Sequence, residues 1–174
     1  MEALKPHVNS STLPPVHQWN PPFCGDIDMR ILRDGQWLYM GTSIKRPAMV
    51  KLFSSVLRRD DDDCYYLVTP VEKVRIQVDD VPFVVVSMTS THEGLVFITH
   101  TDDLVLLSED HPLWVTENDR GEPLPYIRVR DRLNALINRN VFYQLVERAE
   151  INKTSQGDVL TITSAGQTFT IGEV

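Results

Sequence analysis

Cysteine, glycine and long apolar runs are all scarce in this chain, and each scarcity removes a class of protein. Two cysteines, Cys24 and Cys64, in 174 residues cannot staple a disulfide scaffold, and they do not stand at zinc-ligand spacing. Two reduced thiols fit a cytoplasmic protein. With eight glycines there is no G-x-x-x-x-G-K or G-x-G-x-x-G loop to cradle phosphate, and no G-x-S-x-G elbow presents a nucleophile. No apolar run reaches the length of a membrane span. The opening MEALKPHVNSSTLPPVHQW has neither a basic n-region nor an apolar h-region, so no secretory signal is expected. Without a secretory route, the glycosylation patterns at Asn9 and Asn152 carry no meaning. Enzyme chemistry has no positive support, and no cofactor is expected.

What is present is a globular composition, 42% hydrophobic, with a net charge of −7. That charge argues against a nucleic-acid polymer or an anionic membrane as partner. The four aspartates Asp60–Asp63 lack the alternating ligands and glycine of a calcium loop, so a solvated turn is expected. His92, Glu93, His100, Asp102, Asp103, Glu109 and His111 are scattered over loops, and no metal site is expected from them.

The most organised stretch is DIDMRILRDGQWLYMGTSIKRPAMVKLFSSVL, Asp26 to Leu57. Met29, Ile31, Trp37 and Tyr39 alternate as strands with one buried face do. Asp34-Gly35 offers the positive φ of a primed hairpin turn. Thr42 or Ser43 is placed to cap a helix whose first turn holds Pro47. Ala48, Met49, Leu52, Phe53, Val56 and Leu57 give that helix an apolar stripe, read as core. Further on, Val74, Ile76 and Val78 alternate, and Pro82 to Met88 returns as an apolar strand. Leu133 to Arg148 reads as a second helix with Asp131 as its cap. Val159–Thr163 and Thr168–Ile171 form a closing hairpin around Ala165-Gly166.

A weak internal repeat runs through this plan. Ile44, Phe53 and Leu57 fall on Leu133, Phe142 and Val146 at one offset, which also sets Trp37 and Tyr39 on Tyr126 and Arg128. Ile76 and Phe83 then fall on Ile162 and Phe169 at an offset three residues shorter. The expected fold is α+β, a tandem duplication of a small antiparallel-sheet-plus-helix unit. An N-terminal arm would cover residues 1–25, the first repeat 26–91 and the second 92–174.

The runs CGDIDMRI, DGQWLYMGTSIKR and YYLVTPVEKV, within Val16 to about Val86, resemble bacterial proteins grouped as domain of unknown function 1285. The resemblance implies a duplicated domain whose second half is superficially like pleckstrin-homology folds. It also implies a nucleotide-like ligand in the cleft between the repeats and a role in signal transduction. It supplies no catalytic residues.

The residues themselves point to an anion. Lys45 and Arg46 lie at the expected helix start, where the helix dipole already favours negative charge. Arg128 and Arg130 precede the second helix, and the two clusters would converge on one ligand if the repeats face each other. Trp37 and Tyr39 would pack against its ring. Cys24, in Phe23-Cys24-Gly25-Asp26, is a candidate redox thiol if basic neighbours activate it. A non-enzymatic binder of a small anion is therefore the leading expectation. A protein-interaction module is the alternative, and a thiol switch or enzyme centred on Cys24 a third.

Overall fold

A computed structural model describes residues 13–174. The chain divides between Pro82 and Phe83 into two units. The first contains β1 (Phe23–Ile31), β2 (Trp37–Tyr39), β3 (Thr42–Ser43), α1 (Pro47–Ser55), β4 (Leu57–Arg59), β5 (Tyr65–Val68) and β6 (Lys73–Val78). Its strands form one sheet in the order β3-β2-β1-β6-β5-β4. The central β1–β6 pair is parallel, and the other pairs are antiparallel.

Met29 and Ile31 of β1 and Ile76 of β6 are buried, together with Trp37, Leu57 and all of β5. The polar residues that alternate with them in β1 and β6 face outward, as a sheet with one covered face requires. The primed turn sits one hairpin later than the sequence suggests. Met40 and Gly41, both at positive φ (50° and 79°), link Tyr39 to its partner Thr42, whereas Asp34-Gly35 lies in a longer loop over residues 32–36. Thr42 and Ser43 belong to β3 and do not cap the helix. Arg46 is the N-cap residue, without a side-chain hydrogen bond, and Pro47 begins α1.

The arm's first twelve residues lie outside the described ones. After them, Val16 is buried, and Arg58 Nη1 donates to the carbonyls of Val16 (2.6 Å) and Trp19 (2.7 Å). Asp60 in turn accepts from Arg58 Nε at 2.6 Å and from Lys73 Nζ at 3.0 Å. The aspartate run is thus partly a structural clamp rather than only a solvated turn.

The second unit contains β7 (Phe83–Ser90), β8 (Leu95–Thr99), β9 (Leu104–Leu106), β10 (Leu113–Glu117), β11 (Pro123–Arg130) and β12 (Leu133–Ile137). After these come α2 (Arg139–Arg148), β13 (Glu150–Thr154), β14 (Gly157–Ser164) and β15 (Gln167–Glu173). The six-stranded sheet has the order β10-β11-β12-β7-β8-β9, and β13-β14-β15 form a second sheet. Read from its other edge, the six-stranded order repeats that of the first unit. The parallel central pair is again made by the first and sixth strands, β7 and β12. Even the contact that ends this pair recurs: Asp79 N donates to Ile31 O at 3.0 Å, and Asn138 N to Val85 O at 3.1 Å.

The duplication is therefore present in a different register from the one the helices suggest. Tyr126, in β11, corresponds in topology to β5 rather than to Trp37 in β2. In the first unit α1 joins the third and fourth strands, while α2 follows the sixth strand of the second. The expected boundary at residues 91 and 92 moves to 82 and 83, because β7 pairs with β8 and β12. Leu133–Ile137 is a strand: Leu133, Ala135 and Ile137 are buried in alternation. Asn138 caps α2, its Oδ1 accepting from Val141 N at 2.9 Å, and Asp131 sits in the preceding turn at φ 49°. The curled half-barrel sheet of this fold is superficially like pleckstrin-homology folds. No helix among the described residues is long and apolar enough to cross a membrane.

Candidate functional site

The apolar face of the first sheet is larger than its helix can cover. α1 has nine residues, PAMVKLFSS, about 14 Å of helix at 1.5 Å per residue. Phe53 fastens it to the sheet by stacking on Trp37, with centroids 6.1 Å apart and planes 21° from parallel. Beyond that contact a groove of about 560 Å³ stays open. Its floor is Ile27 and Met29 from β1, Val74 from β6 and Leu67 from β5. Its walls are Ile44, Met49, Phe53 and Val56 from α1 and its flanks, and Tyr39 from β2. Thr69 and Glu72, in the turn between β5 and β6, close one end.

This size and lining suit a small-ligand site, mostly apolar with few polar groups. Tyr39 is 51% exposed and can lie along a ligand. Lys45 and Arg46 are not in the lining but follow the lining residue Ile44 directly in sequence, just before α1; both are exposed, and neither has an ion-pair partner among the described residues. Glu72, in the β5–β6 turn, is the charged side chain of the lining, and the two cations follow β3, on the other side of β1 in the strand order.

The other expected site residues fare differently. Trp37 is 1% exposed, and its ring packs on Phe53, so it is core and offers no face to a ligand. Arg130 is committed within the second unit: its Nη1 donates to Asp103 at 2.8 Å, and its guanidinium lies 5.0 Å over the Phe83 ring. Arg128 is exposed on β11 without an ion pair among the described residues. Cys24 is exposed, and its Sγ donates to the Pro22 carbonyl at 3.3 Å. The stripe read as core divides: Leu57 is buried, while Met49 and Leu52 are exposed.

A second cleft, of about 570 Å³, includes Asp26, Arg30, Cys64, Arg75 and Asp79. Its cations already have partners: Arg75 binds Asp26 with two hydrogen bonds (2.6 and 2.8 Å), and Arg30 binds Asp79 at 2.5 Å. The Arg75 hydrogen bond holds Asp26 below the usual carboxylate range. An incoming anion would have to displace these carboxylates, and the groove imposes no such competition. No cluster of three or more His, Cys, Asp or Glu side chains that could hold a metal occurs among the described residues.

The groove residues that sequence reading missed carry one visible signal. Between Pro47 and Leu57 six of the nine side chains are apolar, more than one face of a short helix can bury.

Comparison with other proteins places this arrangement. Residues 14–81 match the N-terminal domain, and residues 82–171 the C-terminal domain, of the family described as of unknown function, DUF1285. The chain belongs to the DUF1285 family. A DUF1285 family protein from Silicibacter pomeroyi DSS-3, known from a crystal structure, is 49% identical over 92% of this chain and 88% of its own, with a TM-score of 0.85. A DUF1285 family protein from Shewanella baltica OS155 is 31% identical over 68% of this chain and 90% of its own, with a TM-score of 0.56. No curated protein matches the chain. The two DUF1285 domain models meet within one residue of where the two structural units divide.

Proposed function

We propose that this protein is a non-enzymatic binder of a small ligand carrying an anionic group, acting in signal transduction through occupancy rather than turnover. The observation that carries this reading is the open apolar groove beside Lys45 and Arg46, cations without ion-pair partners among the described residues. Tyr39 serves as the ligand's packing face. Trp37, Arg128 and Arg130 play no part in this site. Thr69, Glu72 and the Tyr39 hydroxyl are the polar lining groups, a set without a paired nucleophile and base.

A thermal-shift panel of nucleotides, phosphorylated metabolites and organic carboxylates on the full chain tests it. A ligand at a hundred times its Kd adds about 2.7 kcal/mol of stability. Replacing Lys45 and Arg46 together by Ala is expected to abolish that gain and leave the unliganded protein unchanged. Stabilisation that survives the double substitution would remove these two residues from the site.

A protein-interaction module is the second reading, favoured by Met40. This side chain is 67% exposed and held at φ 50°, an apolar residue in a conformation that favours Gly or Asn. Leu52, 62% exposed, is a second large apolar side chain left uncovered, of the kind a partner chain would cover. Silence across the ligand panel, followed by capture of a protein that Met40→Asn no longer captures, would favour this reading.

A further inference from the structure

We infer that the ligand of the first unit is a free aliphatic carboxylate, its chain lying in the groove and its carboxylate at Lys45 and Arg46. This rests on the binding reading above and adds the chemical class. Eight of the eleven lining side chains are aliphatic, phenyl or thioether. Among them Met29 and Met49 adapt to a flexible chain better than to a rigid ring.

The few polar groups are poorly suited to a nucleotide. Thr69 Oγ1 already accepts from Val71 N (3.3 Å) and Glu72 N (3.1 Å), and the Glu72 carboxylate would repel phosphate. With Trp37 buried, no indole is available to stack on a base. A ligand with many polar edges would lose its water here without replacing those hydrogen bonds.

The shape agrees with an extended chain. The lining crosses the sheet from the end of β3 to β5, four strand spacings of about 4.8 Å, or roughly 19 Å. The charge pattern sets the direction: the cations stand at the β3 end and Glu72 at the other, so a single terminal anion is accommodated one way round. Charge also selects the free acid over a lipid bilayer, since a chain of net charge −7 is repelled by an anionic membrane surface.

Titration of the full chain with octanoate, decanoate, laurate and myristate, each below its micellar concentration, tests the assignment. Affinity is expected to rise about fourfold per added methylene until the groove is full, and then to level off. The methyl ester of the best acid should bind at least about tenfold more weakly, the loss expected when one charge-assisted contact disappears. Lys45→Gln with Arg46→Gln should bring the acid down to the level of its ester and leave the ester unchanged. Val74→Trp, which fills the floor, should abolish binding of both. Should that variant fail to fold, Ile44→Trp blocks the opposite wall.

Equal affinity for acid and ester, or no dependence on chain length, would overturn the inference. So would co-sedimentation with phosphatidylglycerol vesicles that these substitutions abolish. If carboxylates fail while nucleotides or phosphates stabilise the chain, the ligand class falls and the binding reading stands. If every probe fails, both fall.

Discussion

The indole of Trp37 and the ring of Phe53 stack at 6.1 Å and join β2 to α1. The pair fixes how closely the helix can approach the sheet, and hence how wide the groove beside it stays. Phe53→Ala is expected to lower stability by about 2 to 3 kcal/mol, near the low end for a large aromatic because Phe53 is only half-buried. Urea unfolding would measure it, and loss of ligand affinity in the same variant would follow from the loosened helix.

Gly94 stands at φ 147°, and a Cβ added there would lie 2.3 Å from Ser164 Oγ and 2.9 Å from Ala165 N. Ser164 cannot move aside cheaply, because it accepts from Leu95 N (2.8 Å) and donates to Leu107 O (2.7 Å), tying β14 to the six-stranded sheet of the second unit. Gly94→Ala should therefore destabilise by roughly 2 to 4 kcal/mol. Ser164→Ala should cost about 1 to 3 kcal/mol by leaving those two backbone groups unpaired. If thermal unfolding showed Gly94→Ala to be neutral, the close packing of these loops would be wrong.

Burial works against the charge of Asp60, but hydrogen bonds from Arg58 and Lys73 outweigh it and hold its pKa below the ordinary value. In the unfolded chain this carboxylate titrates near about 3.9. Its contribution is then complete above that pH and disappears as the pH falls through the lower folded value. Asp60→Asn should lose roughly 2 kcal/mol at neutral pH and show a shallower loss of stability on acidification. Urea midpoints across the acid range would reveal it.

Tyr66 gives the opposite limb. Its hydroxyl donates to Asp62 at 2.5 Å, and that bond, with burial, pushes its pKa up to about 12. An unfolded tyrosine titrates near about 10, so this contribution is intact below that pH and fades as pH rises towards the folded value. Tyr66→Phe should be less stable than the parent at neutral pH and should lose less stability between the two values.

Met40 breaks a local rule at the surface, and Met40→Asn is expected to stabilise the chain by about 0.5 to 1 kcal/mol by relieving its positive φ. A drop in stability instead would show that the exposed methionine packs more productively than its exposure indicates.

Much of this molecule was legible before its structure. Period-two alternation located β1, β6 and the final hairpin, and Ala165-Gly166, at φ 50° and 76°, makes the turn expected of it. Leu133–Ile137 reads as helix because Leu133, Leu136 and Ile137 satisfy the helical period, while the alternating burial of Leu133, Ala135 and Ile137 depends on strands distant in sequence. Asn138 was a readable cap signal that marked the true start of α2. The repeat was legible as a fact but not in register, since strand order is repeated and helix position is not. In the site, Lys45 and Arg46 stand out by charge alone. The groove did not, because an apolar stripe such as Met49, Leu52 and Phe53 does not say how much of itself is covered. Trp37 looked like a stacking platform for the same reason.

The parallel centre of each sheet makes folding wait for synthesis. Phe23 pairs with Lys73, and Phe83 with Ala135, so neither sheet can close until its sixth strand has left the ribosome. High separation between pairing partners slows folding, and domains generally form in the order in which they are made. The division at Pro82 lets the first sheet complete its hydrogen bonding while the second is still being translated. Two modest waits thereby replace a single long one.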